Sequence, residues 1–174
     1  MLTVETGSGL PDADALASLA NCDAYHAARG NAAWAGADTD KESAIRRATA
    51  YLSRSVTWAG LRTHGRAQAL AWPRASCTDL EGYGIRSNEI PVEIVSACAE
   101  LALIELETPN ALAPVIVPSE AIKREVIGQI ETEYANPLAG AEEHRAVSAM
   151  VRDLIAPFVC RGGGSPIVGT SYRA

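Results

Sequence analysis

The sequence predicts a mainly α protein: a small bundle of about four helices carrying a β-hairpin, a long irregular loop and extended arms at both ends. Three observations predict it. The hydrophobic fraction of 48% is carried largely by alanine, with only 5% aromatic residues, a chemistry that favours closely packed helices. Apolar residues recur at helical spacing in four separate segments bounded by start or stop signals. One stretch near residues 121–135 alternates in twos instead, and residues 57–89 show no sustained period.

A chain of 174 residues is long enough for one domain with a real core, which at this size buries roughly 70% of the unfolded surface. The expected organisation is an N-terminal arm over 1–17, a helical domain over 18–160 and a C-terminal tail over 161–174. In the arm, Leu2-Thr-Val-Glu5 is β-like and runs into the turn chemistry of Thr6-Gly-Ser-Gly-Leu-Pro-Asp12. Such an arm is either frayed or pinned by a neighbour.

Ser18 is placed as an N-cap and Gly30 as a C-terminal stop, so a short first helix is expected through Arg29. A further turn is expected around Trp34. Thr39, with Glu42 three residues on, reads as a capping box for a helix at 40–55, whose face is Ile45, Ala48, Leu52 and Val56. The central helix is expected at 91–107, with Pro91 in its first turn. Its apolar stripe is broad enough for burial on more than one side.

Pro109, Pro114 and Pro118 rule out further helix, and the alternation of Ile122, Arg124 and Val126 with Gln129, Glu131 and Glu133 predicts a hairpin turning at or near Gly128. A lone two-stranded hairpin is marginal in water, so it should pack on the helices or pair with another subunit. A last helix is expected at 141–156 with Val147, Met150, Val151, Leu154 and Ile155 on its apolar side, Met150 as core filler. Beyond Cys160 the run Arg161-Gly-Gly-Gly-Ser-Pro166 is flexible by composition. Ile167, Val168 and Tyr172 then follow with no core to join, and they read as contacts for a partner.

With three Trp and one Phe, the chain has few large apolar anchors. Trp58 and Trp72 are therefore expected to pin the 57–89 loop, Pro73 holding Trp72 in an extended backbone. A loop of this length inside a compact domain is uncommon and often functional.

A formal charge of −6 and a pI near 5.1 argue against a chain whose main task is to coat nucleic acid, because that affinity is mostly phosphate neutralisation. Arg46, Arg47 and Arg54 share one expected helix, where a solvated face is the ordinary reading and a DNA-facing one the alternative. Cys22, Cys77, Cys98 and Cys160 form no Cys-x-x-Cys pair, so free thiols in a reducing cytoplasm are expected. No apolar run reaches about 18 residues and no signal-peptide pattern opens the chain, so no membrane segment is expected.

No catalytic constellation is present: there is no Gly-x-Ser-x-Gly elbow, no His-Glu-x-x-His and no P-loop lysine. His26, His64 and His144 stand apart, with surface or cap roles favoured over metal ligation. Glu131 and Glu133 share one strand face, most simply a solvated one. The expectation is a protein that is not an enzyme, with no cofactor and no metal.

The succession Val4-Glu-Thr-Gly-Ser-Gly-Leu-Pro-Asp12, Asp23-Ala-Tyr-His-Ala-Ala-Arg-Gly30, Arg46-Arg-Ala-Thr-Ala-Tyr-Leu52, Gln68-Ala-Leu-Ala-Trp-Pro-Arg74, Ile90-Pro-Val92 and Val126-Ile-Gly-Gln-Ile-Glu-Thr-Glu-Tyr134 resembles a family of tailed bacteriophages and prophages. Its members are head–tail connector, or adaptor, proteins, many labelled DnaT-like single-stranded-DNA-binding proteins. The resemblance covers about residues 2–160. It implies a helical bundle with a hairpin that forms a ring, commonly a dodecamer, in the neck of the virion beneath the portal protein. The ring would extend the channel through which DNA passes without sequence recognition, and would meet a tail-side connector or stopper protein below. It also implies a C-terminal segment that reaches into the portal, which would give Arg161, Ile167, Val168 and Tyr172 that partner. Ala15 and Ala20-Asn21 depart from the Tyr and Ser usual near the first helix, implying that the arm packs differently. The alternative is a single-stranded-DNA-binding module, in which Arg46, Arg47, Arg54, Arg62 and Arg66 would gather near Trp58.

Overall fold

A computed structural model describes residues 1–113, 124–127, 130–133 and 148–160. Among these, the chain is mainly α, as expected: α1 (Leu19–Arg29), α2 (Asp38–Arg54), α3 (Val92–Glu107) and α4 (Ala149–Ile155). Two short antiparallel pairs accompany them, β1 (Leu61–Arg62) with β2 (Arg74–Ala75), and β3 (Arg124–Ile127) with β4 (Ile130–Glu133).

Local chemistry sets the first helix. The Ser18 hydroxyl accepts the Asn21 N–H at 3.0 Å, and Gly30 closes the helix in the left-handed region at φ 65°, where a Cβ would be disfavoured. The expected capping box at the second helix does not form. Helix α2 begins after Ala37, which has no side-chain acceptor to offer, and Thr39 lies inside its first turn. Asp38 and Asp40 supply negative charge there instead, which favours the positive end of the helix dipole. Glu42 turns to the Met1 ammonium at 2.8 Å and to Arg46 at 3.7 Å.

Helix α3 is the hub. It packs most extensively on α2, then on α4 and α1, and buries Ile94, Ala97, Cys98, Ala99, Leu101 and Ala102. Pro91 is its cap residue, one position outside the first turn. Helix α2 answers with Ala44, Ile45, Ala48 and Leu52. Small side chains on both faces let the two backbones approach closely, since interaxial distance follows the residues at the contact.

The last helix starts later than its apolar pattern suggests. Ser148 has an extended backbone and its hydroxyl accepts the Val151 N–H at 3.2 Å, so the cap itself fixes the start at Ala149. The earlier part of the expected helix, with His144 and Val147, falls outside the described residues. Val151 and Ile155 are buried, but Met150 is 45% exposed and is not the core filler it was expected to be.

The register of β3 and β4 places Arg124 opposite Glu133 and Ile127 opposite Ile130, so the two strands are joined across residues 128–129, where the turn was expected. Among the described elements these strands pair only with each other. The N-terminal arm is fastened to its own chain rather than to a neighbour. The Thr3 carbonyl accepts N–H groups from Asp14 and Ala15, and the Ala15 carbonyl accepts the Glu5 N–H. The buried Glu5 carboxylate then accepts the N–H groups of Gly7, Gly9 and Leu10 at 2.7–2.9 Å. Gly7 is required: its φ is +102°, and a Cβ there would collide with the Asn88 carbonyl.

Candidate functional site

The 57–89 segment is far more ordered than its lack of periodicity suggests. Trp72 is fully buried and Trp58 nearly so; their rings meet edge to face at 5.7 Å, and Phe158 meets Trp72 the same way at 5.6 Å. The Trp58 indole N–H donates to the Leu52 carbonyl at 2.8 Å, while the Trp72 N–H is buried with no acceptor. Residues 57–59 also pair with residues 158–160, through Ala59 N–H to the Phe158 carbonyl and Cys160 N–H to the Thr57 carbonyl. Both tryptophans are anchors, as expected, and neither offers a face to a ligand.

Two side chains that bound the Gln68–Arg74 motif hold the loop's backbone, a role the sequence did not indicate. Arg74, buried, donates to the carbonyls of Ala59, Ala71 and Gly60 at 2.6, 3.1 and 2.7 Å. The Gln68 amide donates to the carbonyls of Leu70 and Pro73, each at 3.0 Å. An irregular segment leaves carbonyls that no ladder satisfies, and buried ones must find donors. One guanidinium and one amide supply them here. The Trp72–Pro73 peptide bond inside this cage is cis.

Of the arginines chosen as possible DNA-facing residues, Arg47 and Arg54 line one small cavity beside Glu105, and Arg46 and Arg47 are held by carboxylates. Arg46 donates to Asp14 at 2.7 Å and to the Met1 carbonyl. Arg47 donates to the buried Glu105 carboxylate at 2.6 Å and to the Glu105 carbonyl. Glu105 also accepts the N–H groups of Asn110 and Leu112, organising the turn after α3, so Arg47 is bound into the fold. Arg54 is exposed, with no ion pair among the described residues. Arg161, Ile167, Val168 and Tyr172 lie outside the described residues.

A different set of cations lies on two segments that the fold ties together. Arg62, Arg66 and Arg86 are all exposed, and the Thr63 hydroxyl donates to the Ser87 carbonyl at 2.7 Å, tying the two segments that carry them. Arg86 drew no attention in the sequence because its neighbours there are Ile85 and Ser87, and only the fold brings it beside residues 61–66.

Packing absorbs the chemistry of His26, Cys22, Cys77 and Cys98. His26 is not at the surface: it is 1% exposed, donates from Nε2 to the Ala99 carbonyl at 3.1 Å and faces the Asn31 amide with Nδ1 at 3.0 Å. Burial holds its pKa below the usual histidine value. Burial also pushes the Cys98 thiol up to about 11 and raises those of Cys22 and Cys77, so none of these three offers a thiolate. Among the described residues no group of side chains is placed to hold a metal, and no helix is long and apolar enough to cross a membrane.

A family model described as "Putative DnaT-like ssDNA binding protein" matches residues 1–174, so the chain belongs to that family. No curated protein and no solved structure matches it significantly. The family's description agrees with the DnaT-like label of the resemblance, and nothing in these comparisons speaks for its head–tail connector part.

Proposed function

We propose that this member of the DnaT-like family is a non-enzymatic structural subunit: a head–tail adaptor that assembles as a ring in the neck of a tailed-phage particle and lets DNA pass. The observation that carries the reading is what the fold does with the groups a nucleic-acid groove needs. Trp58 and Trp72 are buried, and Arg46 and Arg47 are held by carboxylates. A sequence-tolerant single-strand groove instead wants stacking aromatics beside a basic track. The hairpin adds support: among the described elements β3 and β4 pair only with each other, and an isolated hairpin gains stability from a further partner. Portal docking through Arg161, Ile167, Val168 and Tyr172, a dodecameric ring and a tail-side stopper beneath it belong to the same proposal, on the ordered resemblance.

Electron microscopy of the purified protein mixed with its portal tests the reading. Added density beneath the portal, lost when residues 161–174 are removed, is the expected result. A chain that ignores the portal with its tail intact contradicts it.

Single-stranded-DNA binding, the activity in the family's description, is the second reading. It is favoured by the exposed Arg62, Arg66 and Arg86. On that reading, Arg62→Glu with Arg66→Glu would abolish oligonucleotide binding while leaving the fold intact.

A further inference from the structure

Two surfaces of opposite character lie apart on the described chain, and each is unexplained by the fold. The first is the rim formed by residues 61–66 and 86–87. Leu61 is 73% exposed there, beside Arg62, and with Arg66 and Arg86 close by. None of these arginines takes part in an ion pair among the described residues. The buried Arg74 feels Arg62 as a like charge.

The second surface is a groove of about 580 Å³ between the 79–81 turn, the start of α3 and the end of α4. Among the described residues that line it, four, Asp79, Glu81, Glu93 and Asp153, are carboxylates and none is basic. Its apolar part includes Leu80, 72% exposed, and Met150, 45% exposed. Large apolar side chains left in water within a charged ring of one sign mark a contact surface.

We propose that the rim of one copy of this chain seats in the groove of the next, with Leu61 against Leu80 and Met150 and the three arginines facing the four carboxylates. DNA would match the rim but be repelled by the groove; a second copy satisfies both. The rim and groove share no residue, so the contact is heterologous, and its repetition gives a closed ring or an open filament according to the rotation between copies. Charge complementarity of this kind fixes register and steers encounter. The inference deepens the adaptor reading by naming the surfaces its ring would use.

Cross-linking of the full chain tests it. In a Cys160→Ser background, which removes the exposed thiol, Leu61→Cys and Leu80→Cys variants are mixed at low salt and treated with a short bismaleimide. The expected product is the 61-to-80 pair between different molecules, favoured about tenfold over either like pair, the ratio that corresponds to about 1.4 kcal/mol. Arg62→Glu with Arg66→Glu on the rim partner should remove that preference, and Glu81→Arg with Asp153→Arg on the groove partner should restore it. Equal yields of like and unlike pairs, or a preference indifferent to the charge swap, overturn the contact. So does oligonucleotide binding by the rim without cross-linking. Portal binding with no preference for the 61-to-80 pair would sink this contact alone, whereas cross-linking without portal binding would sink the adaptor reading and leave the contact standing.

Discussion

The α2–α3 seam and the 57–89 loop are equally buried at their centres but are held by different physics. In the seam, Ala44, Ile45, Ala48 and Leu52 meet Ile94, Ala97, Cys98 and Leu101, and the backbone satisfies itself within each helix. In the loop, the backbone cannot do so, and Arg74 and Gln68 donate to its carbonyls while Trp58, Trp72 and Phe158 fill the space around them. The seam needs small side chains of the right shape. The loop needs particular donors in particular places.

The largest effect should come from the loop's aromatic anchor. Trp72→Ala should cost about 4 kcal/mol in denaturant unfolding, the range for removing a buried aromatic ring. If global stability is unchanged and only the loop becomes protease-sensitive, the loop is a separate unit and the comparison breaks.

Arg74→Met should follow at about 3 kcal/mol, because an apolar chain of similar length leaves buried carbonyls without donors. A near-neutral outcome in the same unfolding experiment would show that the carbonyls find other partners. On the seam side, Ala48→Leu should cost about 2 kcal/mol by overpacking. Tolerance of the larger side chain would mean that the seam is looser than its alanines suggest.

The smallest effect concerns the joint between α1 and α3. The fold lowers the pKa of His26, so the unfolded chain takes up the proton first. Its contribution is fully present above the unfolded value of about 6.5 and is lost as pH falls through the lower folded one. Burial is the leading cause. Glu100 and Asp23 pull the other way, and Arg29 adds to the lowering. Melting temperature measured from pH 8 down to pH 5 should fall on the acid side, and His26→Gln should flatten that fall. An unchanged profile would remove His26 from the account.

The same contrast explains what could be read from the residues. Helices α1 and α3 were legible because Ser18, Gly30 and the broad stripe from Ile94 to Leu106 write their own boundaries, and the hairpin because its alternation brackets Gly128. Thr39 misled: a capping box needs only side-chain spacing on paper, but here the helix starts two residues earlier, at Asp38, and Glu42 is drawn to Met1 and Arg46. The roles of Glu5, Glu105 and Arg74 were not legible, since each serves backbone groups of irregular segments, and such partners leave no periodic trace. The rim of Arg62, Arg66 and Arg86 was half legible, as its third member joins only through the Thr63–Ser87 bond.

The central claim is that the chain works by assembly and does not grip DNA. Fluorescence anisotropy of a labelled single-stranded oligonucleotide, titrated with the protein at several salt concentrations, tests it most directly. The account predicts binding no tighter than the weak non-specific range of about 10⁻⁴ M at physiological salt. Micromolar or tighter binding with a steep salt slope, lost on Arg62→Glu with Arg66→Glu, would contradict it.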